Sequence, residues 1–130
     1  MENQALKNHM PIKDRSFEFA VGIVKLCSQL REVKEFELSN QLIRSGTSVG
    51  ANIREAFNAY SNKDYLYKLS IAQKEVAETI YWLEIINAHL GGESKTRNSL
   101  SSESQQLLKI IRTMILNNKK KQLTTLNDEL

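Results

Sequence analysis

Two carboxylates, Glu75 and Glu78, have the spacing at which side chains on one helix could carry acid–base chemistry. Residues three apart share a helix face, so one carboxyl group could donate a proton while the other accepts one. The same carboxylates could instead neutralise bases such as Lys74, Arg44 or Arg54 where two helices or two subunits meet. We favour this second interpretation and expect ion pairs rather than catalysis at these positions.

The residue sets that metal sites and covalent catalysis require are missing from the sequence. A ferritin-like site needs Glu-x-x-His pairs from two helices, and the chain contains none. His9 and His89 lie far apart, Cys27 is the only cysteine, and Ser48 lacks the G-x-S-x-G context of a serine nucleophile. The glycines beside Ser48 are not followed by the lysine of a P-loop. The sequence therefore predicts a non-enzymatic protein with no metal and no cofactor.

The main charge feature is a basic segment in the last third of the chain. The whole chain carries a net charge of +3, but residues 95–121 hold seven bases and one acid, Glu103. Lysines at the end of a helix complement the helix dipole and promote solubility. They could equally bind an anionic partner such as RNA or DNA. In that case the phosphate contacts would come from Lys109, Arg112, Lys119, Lys120 and Lys121, with additional contacts from Arg97, Lys63 and Lys68.

Aromatic residues of the third predicted helix could stack on nucleobases. These residues are Tyr65, Tyr67, Tyr81 and Trp82. At helical spacing beside Leu66 and Ile85, aromatic side chains more often pack inside the protein, and we expect packing here.

The overall pattern predicts an all-α protein with one domain. The chain has 130 residues, 41% of them hydrophobic and 25% charged, with one proline and five glycines. Because glycine and proline, which interrupt helices, are this rare, the composition favours long helices. The hydrophobic periodicity predicts helices at residues 14–32, 37–60, 62–90 and 102–121. Their short links predict an antiparallel up-down-up-down four-helix bundle over residues 13–121, between a flexible lead-in at 1–12 and a flexible tail at 122–130.

The second predicted helix contains two interior glycines, Gly46 and Gly50. Each one costs a helix about 0.5–1 kcal/mol relative to alanine. We expect this cost to be offset by the close approach of a neighbouring helix, which small residues at this spacing permit.

The first and third predicted helices carry apolar residues on two faces. Phe17, Val21 and Val24 form the second stripe of the first helix, and Ile71 and Ile85 belong to that of the third. A helix that is apolar on both sides should be buried on both sides, which one bundle of this size does not achieve. We therefore expect self-association. The residues expected at oligomer or helix contacts are Arg44, Gly46, Gly50, Ile71, Glu75, Glu78, Trp82 and Ile85.

The sequence predicts a cytoplasmic protein with no membrane partner. It contains no long uncharged apolar stretch and no hydrophobic signal core near its beginning. The lone Cys27 excludes an internal disulfide and suits a reducing compartment.

Several motifs together resemble one protein family. They are RSFEFA at residues 15–20, QLIRSGTSVGANIREA at 41–56, SNKDYLYKLSIAQKEVAET at 61–79 and YWLE at 81–84. The chain resembles, over roughly residues 15–119, the four helix bundle proteins that include products of intervening sequences in bacterial 23S rRNA genes, also labelled S23 ribosomal proteins. The positions that match the family motif are Arg44, Ser45, Gly46, Ser48, Gly50, Asn52, Glu55, Asp64, Lys68, Lys74, Glu75, Glu78 and Trp82.

The resemblance implies a bacterial cytoplasmic protein that assembles into a ring, usually a homopentamer. It also implies similarity to the accessory variability protein of diversity-generating retroelements, a basic pentamer that binds nucleic acid and a reverse transcriptase. No catalytic residues are attached to the family. A pentamer would multiply the net charge of each chain fivefold and could gather the basic helix ends on one surface.

Two functions remain open from the sequence. The first is a homo-oligomeric module that binds the RNA or DNA backbone through pooled basic surface. The alternative is a protein–protein scaffold, or accessory subunit of a separately encoded partner, without a nucleic-acid role. The excess apolar surface of the first and third helices would serve this alternative.

Overall fold

The computed structural model of the chain describes Lys7 and residues 9–129. Its four long helices are α1 at Ile12–Glu32, α2 at Phe36–Phe57, α3 at Asn62–Leu90 and α4 at Lys95–Glu129. The described part of the chain contains no β-strand, which confirms the predicted all-α class with four helices. Most of the expected lead-in, residues 1–6 and 8, lies outside the described residues, as does Leu130.

The helices form a closed four-membered arrangement in which α1 packs against α2 and α4, and α3 packs against α2 and α4. Neighbouring helices run antiparallel, because contacts pair early residues of one helix with late residues of the next. Cys27 contacts Ser39 across the first turn, and Ser16 lies against Gly50 at the other end of the same helix pair. This is an up-down-up-down four-helix bundle.

One stripe of each helix faces a common core. The largest fully buried side chains are aliphatic and come from all four helices, which makes the core continuous along the bundle. They include Ile23, Leu30, Leu42, Ile53, Leu69, Leu83, Ile86, Leu107 and Ile111.

The ends of α3 follow from local sequence. The Ser61 side chain accepts a hydrogen bond from the Asp64 backbone N–H at 3.0 Å and so caps the first turn of the helix. The helix ends before Gly91 and Gly92, whose φ angles are 66° and 67°, a conformation that glycine adopts without strain. The chain therefore reverses at this glycine pair.

The fourth helix is longer at both ends than the sequence pattern predicts. It begins at Lys95 rather than near residue 102, because the Ser94 side chain accepts a hydrogen bond from the Arg97 backbone N–H at 3.2 Å and caps the first turn. It continues to Glu129 through residues 122–129, the segment expected to be a flexible tail. No glycine or proline follows Gly92, so no residue type interrupts the helix there.

Both interior glycines of α2 lie against α1. A Cβ atom placed on Gly46 would approach Ile23 Cγ2 to 2.8 Å, and one on Gly50 would approach the Ser16 carbonyl oxygen to 3.3 Å. The predicted close approach of a neighbouring helix is confirmed. Next to Gly46, Ser45 accepts a hydrogen bond from the Thr79 hydroxyl at 3.0 Å, so α2 is bonded to α3 while its glycines pack on α1.

Candidate functional site

Four of the six predicted phosphate contacts of α4 share its outward face. At 100° per residue, Lys109, Arg112, Lys119 and Lys120 fall within an arc of about 100°. This arc lies opposite the buried stripe of α4, and all four side chains are exposed. We call these four residues the basic face. Lys121 is also exposed but lies on the flank of the helix.

The basic face has no acidic neighbours along its own helix. No aspartate or glutamate occurs between Ser104 and Asn127. Within the described residues, none of the basic-face side chains forms an ion pair. Two exposed leucines, Leu116 and Leu123, lie among these bases at 57% and 61% exposure. The face therefore presents unpaired positive charge together with apolar surface.

The two additional lysines predicted on α3 have different surroundings. Lys63 is exposed and lines a groove together with Lys119, so the structure brings it to the end of the basic face. The Lys68 side chain is only 26% exposed, its Nζ atom lies 3.5 Å from a carboxylate oxygen of Glu55, and the same atom lies 5.8 Å from the ring centre of Tyr67. Only Lys63 therefore extends the basic face.

Arg97 does not fit its interpretation as a phosphate contact. It is 8% exposed, and its guanidinium group donates hydrogen bonds to Asn87 Oδ1 at 2.8 Å and to the Gly91 carbonyl oxygen at 2.7 Å. A cation at this point stabilises the carbonyl end of α3. This role of Arg97 could not be predicted from sequence spacing, because it depends on how the link through Gly91 and Gly92 folds α4 back onto the end of α3.

The carboxylates Glu75 and Glu78 pair with Arg44, one of the bases that the sequence analysis named. Arg44 Nη1 lies 3.5 Å from Glu75 Oε2, and Arg44 Nη2 donates to Glu78 Oε1. The same Glu78 oxygen accepts a hydrogen bond from Trp82 Nε1 at 3.2 Å. These groups form a polar network between α2 and α3, and its carboxylates are held by an arginine.

The remaining residues expected at contacts divide into two sets. Gly46 and Gly50 are buried between α1 and α2 and serve helix packing. Ile71 and Ile85 are half-buried on α3, and Trp82 is half-buried with its ring packed against the core. Of the aromatic residues considered for stacking, Tyr65 packs against the core as expected, whereas Tyr67 and Tyr81 are more than half exposed.

An ion pair that the sequence analysis missed joins α1 to α4. Arg15 Nε and Nη2 donate to the two carboxylate oxygens of Glu103 at 2.9 and 2.8 Å, and both side chains are buried. Gln106 accepts a further hydrogen bond from Arg15 at 2.6 Å. The hydrogen bond that Arg15 donates to Glu103 raises the pKa of Arg15 above its ordinary value, against the effect of burial. Glu103 is the one acid of the basic segment at residues 95–121, but its charge is neutralised by Arg15.

Reactive groups elsewhere in the molecule are few. Cys27 is buried, its thiol donates to the Ser39 carbonyl at 3.4 Å, and burial raises the pKa of the thiol. Across the described residues, no three histidine, cysteine or acidic side chains are grouped so that they could hold a metal ion. None of the described helices is long and apolar enough to span a membrane.

Comparison with known proteins identifies the family. The model of the 23S rRNA-intervening sequence protein family matches residues 8–113. A crystal structure of a protein of unknown function from the S23 ribosomal protein family of Bacteroides thetaiotaomicron VPI-5482 is similar, with 44% identity and a TM-score of 0.76. The alignment covers 81% of this chain and 98% of that chain. No curated protein matches. The chain therefore belongs to the 23S rRNA-intervening sequence protein family.

Proposed function

We propose that this protein is a non-enzymatic module that binds the backbone of RNA or DNA through the basic face of α4. The observation that carries the proposal is the placement of Lys109, Arg112, Lys119 and Lys120 on one exposed helix face without an acidic neighbour on that helix. Phosphate groups are the ligands that such a row of unpaired cations attracts. From Lys109 to Lys120 the face extends for about 16 Å, calculated at 1.5 Å per residue.

Contacts of this kind position a backbone and carry no sequence information. They also release counterions, so the affinity should fall as the salt concentration rises. The direct test is a fluorescence-anisotropy titration of a labelled structured RNA at several salt concentrations. The proposal predicts a linear decrease of the logarithm of affinity with the logarithm of salt concentration. Absent or salt-independent binding up to high micromolar protein would remove the proposal.

We also propose that several copies bind together. In a single chain, the side chains of Phe17 and Val24 are 49% and 42% exposed. They lie on the face of α1 that the sequence predicts to be buried. Burial of this surface against another copy is favourable, and the resemblance to ring-forming proteins fits such an assembly, a homopentamer in particular. Phosphate contacts that are weak in one copy would then add up.

The same exposed surface on α1 supports the second candidate function, a scaffold for a partner protein in the cytoplasm. The two candidates make different demands on Phe17 and Val24. If self-association buries them, they are closed to another protein. If the chain stays a monomer and captures one defined partner through them, the scaffold function is favoured.

A further inference from the structure

A groove lies where the first turn of α3 meets the last turns of α4. Three leucines supply its apolar lining, namely Leu66 of α3 and Leu123 and Leu126 of α4. Its volume is about 500 Å³, within the range of small-molecule sites. Leu123 and Leu126 are more than half exposed, so the groove is open to solvent.

Polar groups surround this apolar lining. Asn62 and Gln122 contribute side-chain amides, and Lys63 and Lys119 contribute ammonium groups from the two helices. An amide both donates and accepts hydrogen bonds, as the edge of a nucleobase does. The ammonium groups provide charge for the phosphates on either side of a nucleoside.

Lys119 belongs both to the groove and to the basic face. A strand whose phosphates follow Lys109 and Arg112 along α4 therefore reaches the groove at Lys119. Leu116 and Leu123 have similar exposure on this face, but only Leu123 lines the groove. The apolar part of the groove therefore lies at one end of the path along α4 that we propose for the nucleic-acid backbone.

We infer that the groove receives an unpaired nucleobase of the strand that the basic face binds. This inference rests on the proposed function and adds a substrate class to it, namely nucleic acid with single-stranded bases. A base within a duplex presents only its edges in the grooves, whereas a base of a loop or strand end can turn outward. A base that has left the stack can bring its flat face against apolar side chains. The three leucines offer such a surface, and the amides can contact the base edge.

The test compares two labelled probes of about 16 nucleotides, a normal single strand and an abasic strand with the same number of phosphates. Fluorescence anisotropy measures the affinity of the full chain for each probe. The wild-type protein should bind the normal strand at least about fivefold more tightly than the abasic one. Leu123→Gln should remove this preference while leaving the affinity for the abasic strand unchanged. Leu116→Gln, which changes a leucine of similar exposure outside the groove, should retain the preference.

The outcomes separate this inference from the proposed function. Equal, salt-dependent binding of both probes by the wild type would overturn the base-binding groove and leave backbone binding in place. Failure to bind either probe at low salt would remove both. If Leu123→Gln changes the mass of the assembly in solution and keeps the preference for bases, the groove is covered by another copy of the chain and the inference is wrong.

Discussion

Arg15 and Glu103, 88 positions apart in the chain, form a two-point ion pair that is buried between α1 and α4. The pair has a consequence for the candidate site. Because Arg15 neutralises the one acid of the basic segment inside the protein, the outward side of α4 between Ser104 and Asn127 is left with positive charge only. The pair therefore holds α4 against α1 and keeps Glu103 inside the protein, away from the four exposed bases of the basic face.

Removal of one member of this pair should destabilise the fold strongly. Glu103→Leu leaves the buried Arg15 guanidinium without its carboxylate and should lower the free energy of unfolding by about 3–5 kcal/mol. The double variant Arg15→Met/Glu103→Leu should recover most of that loss, because no unpaired charge is then buried. Urea denaturation measures both variants.

Glu84→Leu is the matched control for this series, since Glu84 is exposed on α3. It should leave the urea midpoint nearly unchanged. If Glu103→Leu were as mild as Glu84→Leu, the ion pair would not hold α4 against α1.

Gly50→Leu should disrupt the contact between α1 and α2. Even a Cβ atom at this position would lie 3.3 Å from the Ser16 carbonyl oxygen, which belongs to the backbone and yields less easily than a side chain. Overpacking of this kind typically costs about 1–3 kcal/mol. Thermal melting should show a lower Tm for Gly50→Leu, whereas Ala51→Leu, at the exposed neighbouring position, should melt close to the wild type. Equal melting of the two variants would contradict the packing described here.

The sequence identifies the elements of this fold better than it identifies their contacts. Four helices, the Ser61 cap, the reversal at Gly91 and the close contact at Gly50 all follow from residues within a few positions of one another. The bonds of Arg15 and Arg97 depend on how helices are folded back on one another, which local patterns do not contain. In the sequence, both arginines resemble ordinary surface charges. Only the packing of the helices places buried polar groups beside them.

The candidate site was predictable in part for the same reason. Lys109, Arg112, Lys119 and Lys120 were recognised from charge alone, and helical periodicity places them on one face. The groove at Lys63 was not foreseen, because residues 122–129 are polar enough to suggest a disordered tail. Without a glycine or proline to stop it, α4 continues and carries Leu123 and Leu126 to the start of α3.

Cys27 should make the stability of the protein fall at alkaline pH. Burial holds the pKa of its thiol above the ordinary value in the folded state. Because the folded state favours the protonated thiol, this contribution to stability is fully present below the ordinary pKa. It is lost as the pH rises from there through the raised pKa of the folded state. Between about pH 8 and 10, the free energy of unfolding should decrease more for the wild type than for Cys27→Ala. Parallel decreases in the two proteins would contradict this account of the thiol.

Exposed apolar residues on α1 should control assembly. Phe17→Ser combined with Val24→Ser should reduce the mass of the particle in solution while lowering the stability of the single chain by no more than about 2 kcal/mol, because about half of each side chain is already exposed in it. Val33→Ser changes an exposed residue in the turn after α1 and should leave the mass unchanged. Analytical ultracentrifugation measures the mass. A wild type that sediments as a single chain of 14.9 kDa would contradict self-association.

The most direct measurement for the central claim is the salt dependence of RNA binding by an Arg112→Glu/Lys120→Glu variant, compared with Lys34→Glu in the turn between α1 and α2. If the basic face binds phosphates, the double variant should bind RNA much more weakly than the wild type does. The slope of log affinity against log salt concentration should also become smaller by roughly one for each lost phosphate contact. Lys34→Glu should bind nearly as the wild type does. If both variants lose affinity to the same small extent with unchanged slopes, the outward face of α4 is not where nucleic acid binds.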